Sequence, residues 1–90
     1  MTMLEDKLVQ KNIELSAEFS RYLFEHPEME SSIPRDAQIV LLPDYDAQLR
    51  ASNGELGREI ESRGEKVVYV RIGRLRPKTI SRIESVAVEQ

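Results

Sequence analysis

The chain has 90 residues, 40% apolar and 32% charged, with a formal net charge of −3 and no cysteine. That is material for one small domain around a single core; it excludes disorder of the bulk, a disulfide framework, a thiol nucleophile and a thiolate metal site. No run approaches the roughly 20 apolar residues that span a bilayer, and the acidic start Met1-Thr2-Met3-Leu4-Glu5-Asp6 is unlike a secretory leader, so the expected location is the cytoplasm, away from membranes.

From Leu4 to about Glu25 the apolar positions Leu8, Leu15, Phe19, Tyr22 and Leu23 recur at helical spacing, which predicts an amphipathic helix. His26-Pro27 ends or bends it, because proline lacks a backbone donor and disfavours helical geometry in the residue before it. Pro27 also suits the first position of a second short turn over 28–33. Residues 31–36 read as a loop, and Gln38-Ile39-Val40-Leu41-Leu42, closed by Pro43-Asp44, as a strand. Both faces of that run are apolar, as in a strand of a parallel sheet covered on two sides. Asp46 caps a helix from about Ala47 to Arg63, with Leu49, Leu56 and Ile60 inward and Gly64 as its left-handed stop. Val67-Val68-Tyr69-Val70-Arg71-Ile72 is the second strand. The fold class is therefore α/β: a helix, then a strand-helix-strand unit with parallel strands. A compact domain over 1–73 is followed by an arm or tail over 74–90, which holds Pro77 and shows no clear period beyond Val86-Ala87-Val88.

The two long helices carry a similar string. Residues 8–19 align with 49–60 at an offset of 41, with Leu8, Asn12, Glu14, Leu15 and Glu18 matched by Leu49, Asn53, Glu55, Leu56 and Glu59. Either a helix-strand unit is duplicated, or two amphipathic helices draw on the same short menu of residues. Asn12 and Asn53 each interrupt an apolar stripe. An amide there either lies at the exposed margin or faces its counterpart and fixes the register of helix against helix. Gly54 and Gly57, each costing about 1 kcal/mol inside a helix, point to close approach by another element.

Two parallel strands are not stable alone, and their edges remain open after a helix covers one face. The sheet is expected to be completed by self-association, most simply a twofold dimer whose sheet crosses the subunit boundary or whose arm lies on the neighbour. Asn12, Asn53, Val86 and Val88 are the interface candidates. The alternative is a monomer in which the tail returns as a third strand.

In open parallel sheets ligands bind beyond the carboxyl ends of the strands, which here gather Asp44, Tyr45, Asp46, Arg71 and Arg74 as the pocket candidate. An Asp-x-Asp after an apolar strand suits magnesium-dependent phosphoryl transfer, since paired carboxylates hold the ion through oxygen. The other reading makes Asp46 a helix cap and Asp44 the counter-ion of Arg71, and the absence of supporting acidic or hydroxyl residues favours it. His26, the sole histidine, has no second nitrogen or sulfur ligand, and no serine lies in a nucleophile elbow. No resident metal, no cofactor and no catalytic residue are expected, and the balance lies against an enzyme.

Charge is uneven, with residues 63–82 at +6 and the remainder at −9. Arg74, Arg76, Lys78 and Arg82 are the nucleic-acid candidates, although no aromatic residues are interleaved for base stacking. The basic segment of one subunit can equally meet the acidic helix of another.

The segments Asn12–Leu23, Ile39–Pro43 and Val67–Arg71 together resemble a family of small prokaryotic proteins described as a domain of unknown function, over about residues 8–76. That resemblance implies a compact helix-strand architecture, and no activity, substrate or cofactor. The function expected is that of a self-associating interaction or regulatory module, with an unidentified protein partner.

Overall fold

The structure is a computed structural model that describes residues 2–78 and 82–90. Helix α1 spans Met3–Glu25 and opens on a capping box: the Glu5 amide donates to Thr2 Oγ1 and the Thr2 amide to Glu5 Oε2, both at 3.1 Å. It stops at His26, whose N–H reaches the Tyr22 carbonyl at 2.9 Å. A single turn, α2 (Pro27–Glu30), begins on Pro27 as its first residue. It is shorter than the spacing predicts, but turn hydrogen bonds continue it to Ile33, whose N–H donates to the Glu30 carbonyl.

Strand β1 (Gln38–Pro43), helix α3 (Ala47–Ser62) and strand β2 (Val67–Ile72) follow, the strands pairing in parallel with Leu41 beside Val70. The architecture is the expected α/β order, a helix and then a strand-helix-strand unit with two parallel strands in an incomplete sheet. Pro43 belongs to β1 instead of closing it. Its missing N–H lies on the side facing away from β2, where no ladder bond is lost. Gly64, at φ +84°, is the left-handed stop after α3.

Alternation places Leu41, Val70 and Ile72 on one face, where Leu15 and Phe19 of α1 pack with Leu8, Leu23 and Leu49 around them. Val40, Leu42 and Tyr69 occupy the other face under α3. Adjacent residues Val40 and Leu41 are therefore both buried, as a strand covered on two sides requires. The similar strings in the two helices do not take equivalent places. Leu15 is 2% exposed and its counterpart Leu56 is 49% exposed.

The two helical glycines differ. A Cβ on Gly57 would lie 2.6 Å from Tyr69 Cε1, so the ring sits directly on the helix backbone, the close approach that a costly glycine implies. A Cβ on Gly54 would meet only Arg58 Nη1 at 3.7 Å and Leu42 Cδ2 at 3.9 Å, which is ordinary contact. Gly54→Ala is accordingly expected to stabilise the protein by about 0.5–1 kcal/mol, read as a higher midpoint in urea. A lower midpoint would show that the α3–β1 packing is tighter than this geometry.

Residues 74–78 and 82–90 carry no helix or strand, and Val86 and Val88 are 76% and 86% exposed. The radius of gyration is 17.3 Å, against about 12 Å for a compact chain of this length.

Candidate functional site

Asn12 and Asn53 meet across α1 and α3. Each donates its amide to the other's carbonyl, at 2.9 and 2.8 Å, and Asn53 Nδ2 also donates to the Leu41 carbonyl at 2.8 Å. Asn53 is buried and Asn12 half-buried, so this reciprocal pair satisfies amides that would be costly unpaired. The interface they form lies within one chain, between the two helices and the outer edge of β1.

Beyond the carboxyl ends of the strands, the β1–α3 turn holds the acidic candidates in separate hydrogen-bonded settings. Asp46 caps α3, accepting from the Leu49 amide at 3.0 Å, and its other oxygen accepts from Lys11 Nζ at 2.8 Å. Asp44 takes Arg71 through both oxygens, from Nε at 3.3 Å and Nη2 at 3.0 Å, while its backbone carbonyl accepts from Arg50 at 3.2 Å. The turn thus ties α1, α3 and β2 together by charge-assisted bonds. Among the described residues no three histidine, aspartate or glutamate side chains converge as a metal centre requires.

The Lys11 ammonium, and then the Leu49 amide, hold the Asp46 carboxyl below its ordinary range. Burial, and then the neighbouring Asp46 charge, push the Tyr45 phenol up. A carboxyl whose folded pKa lies below its unfolded one stabilises the fold above the unfolded value and loses that contribution as pH falls through the folded one. Asp46→Ala is therefore expected to cost about 1 kcal/mol at neutral pH and to converge with wild type below about pH 4 in thermal melts. A constant gap across that range would show that the carboxylate charge is not what anchors the cap.

A groove of about 1240 Å³ runs from this turn along α1. Glu14, Glu18 and Glu25 of α1 and Arg74, Arg76 and Lys78 of the arm are among the residues that line it. Phe19, Leu49, Val70 and Ile72 contribute its apolar floor. The structure brings Tyr45, Asp46, Arg71 and Arg74 to this groove. Arg82 lies in the arm beyond it and is exposed. His26 closes one end, with Nδ1 3.3 Å from Glu28 Oε1 and its ring 4.2 Å from that of Tyr22.

Three features escape the sequence reading. Lys11 looks like a solvated helix residue, and only the crossing of α1 over the α3 N-terminus makes it the partner of Asp46. The hydroxyl of Tyr69 donates to Glu61, a bond that draws the phenol's pKa upward and holds the ring on Gly57. Val9, Ile13 and Phe24, at 49%, 58% and 88% exposed, form a second apolar stripe on the side of α1 away from Leu15. This last signal was legible: Val9 and Ile13 are four residues apart, between the core positions.

No helix among the described residues is long and apolar enough to cross a membrane. No curated protein and no solved structure matches the chain. A family model does match, over residues 7–86, reaching through the strand-helix-strand unit and into the arm beyond the roughly 8–76 over which the sequence shows the resemblance. The chain belongs to that family, a family of unknown function designated DUF5647.

Proposed function

We propose that this protein works as a self-associating interaction module, most simply a twofold dimer, whose assembled surface receives a protein partner. The observation that carries the reading is the incomplete sheet: two parallel strands only, with no third strand among the described residues. Helices α1 and α3 cover its two faces, so what a second copy can supply is the further strand that its outer edge on β2 lacks. The exposed stripe of Val9, Ile13 and Phe24 adds apolar surface of the kind that association buries. Light scattering over a dilution series tests this. A mass of two chains that falls toward one on dilution is the expected result, and a single-chain mass at every concentration would overturn it.

A second reading rests on the arm. Arg74, Arg76 and Lys78 are exposed and make no ion pair among the described residues, leaving their charges for phosphates. Binding to a duplex should then weaken steeply with salt and weaken further when the three become alanine. No retardation at low salt would dispose of it.

A further inference from the structure

Backbone groups along a parallel strand alternate, one residue facing its neighbour strand and the next facing away. Gln38 N–H donates to the Lys66 carbonyl at 2.8 Å and Asp44 N–H to the Ile72 carbonyl at 2.9 Å, which fixes that phase in both strands. Even-numbered residues face the partner strand, and Ile39, Leu41, Pro43, Val67, Tyr69 and Arg71 face outward. The two outer edges are not alike. On β1, the Leu41 carbonyl accepts from Asn53, Pro43 has no N–H to offer, and the α1–α3 junction lies alongside. On β2, the N–H and C=O groups of Val67, Tyr69 and Arg71 have no protein partner among the described residues.

We infer that the outer edge of β2 is the seam between two copies of this chain, the strands pairing antiparallel about a twofold axis to give one sheet in the order β1-β2-β2-β1. This rests on the self-association reading and names the surface that performs it. A twofold axis normal to the sheet sets β2 antiparallel to itself, and a strand edge is self-complementary in that arrangement. The register that pairs all three outward residues is the one centred on Tyr69. Tyr69 then lies opposite its own copy, and Val67 opposite Arg71 of the second chain, each pair exchanging two hydrogen bonds.

Charge favours a second copy over an unrelated strand. Glu65 lies just before the strand and Arg74 just beyond its far end, and neither makes an ion pair among the described residues, whereas Arg71 is already held by Asp44. Antiparallel pairing carries the free cation of one chain toward the free acid of the other, twice by symmetry. Closed edges of this kind also remove the unpaired strand that isolated sheets leave open to aggregation.

The test uses the full chain. Val67→Pro removes one outward N–H from each copy at the first position of an edge strand, where proline is tolerated and the β1–β2 ladder is untouched. It is expected to weaken the dimer at least about tenfold in a light-scattering dilution series while circular dichroism stays that of the wild type. Because the variant can fail to fold, the wild-type protein supplies a second reading. In a mixture of labelled and unlabelled chains, Val68 Hα and Val70 Hα of different copies should show a cross-copy nuclear Overhauser contact. A wild-type dimer without that contact, with contacts from β2 to Val86 and Val88 instead, or with affinity unmoved in a folded Val67→Pro variant, would overturn the seam and leave self-association standing. A wild-type chain that stays single throughout would overturn both.

Discussion

Asn53→Ala is expected to lower the free energy of unfolding by about 2–4 kcal/mol, measured from urea transitions. The side chain is 5% exposed and holds two acceptors at once, Asn12 Oδ1 and the Leu41 carbonyl. Truncation strands that carbonyl beside apolar neighbours and leaves a void behind it. Asn12→Ala should cost less, about 1 kcal/mol, because Asn12 is half-buried and Asn53 keeps its bond to Leu41. In a double-mutant cycle the second alanine should then add little to the first, since the shared bonds are already gone. Asn53→Ala within 0.5 kcal/mol of wild type would mean that water replaces the amide and that the pair does not lock α1 to α3.

Leu15→Ala carries the other large expectation, a loss of about 3–4 kcal/mol and a fall in Tm of more than about 12 °C. Leu15 is 2% exposed and belongs to the buried cluster that joins α1 to Leu41 and Leu49. A domain of this length has on the order of 5–13 kcal/mol in total, so the loss is a large fraction. Ile13→Ala, two residues earlier in the same helix and 58% exposed, is the contrast. It should hardly move the stability of a dilute sample. Equal costs at the two positions would place α1 in a different rotation on the sheet.

The sequence was informative wherever a local rule has one outcome. Pro27, Asp46 and Gly64 set helix boundaries through a missing donor, a side-chain acceptor and a left-handed φ, and each does so in the structure. The run Ile39 to Leu42, apolar on both faces, predicts a strand covered twice, and Val40 and Leu41 are buried on opposite sides of β1. The cap on Asp46 and the Asp44–Arg71 ion pair are likewise the favoured reading of the Asp-x-Asp, and the geometry contains both. Where the rule is only permissive the sequence was silent. Two glycines at equal cost look equally in need of a close neighbour, and only at Gly57 does one come nearer than a Cβ would allow, because the Tyr69 ring overlies one turn of α3 and not the next.

By itself, then, the order of residues determined the elements, their ends, the α/β class and the conspicuous placement of two asparagines within apolar stripes. Those are consequences of periodicity and capping, which act over a few residues. The tertiary structure alone decided that the asparagines bond to each other inside one chain, that Lys11 belongs to Asp46, and that Asn53 takes the outward Leu41 carbonyl of β1 while the outward groups of β2 have no partner among the described residues. Each of these turns on how α1 crosses the strand-helix-strand unit, a choice made by the packing of Leu15 and Phe19 against partners more than twenty residues away. No local propensity encodes a crossing of that range.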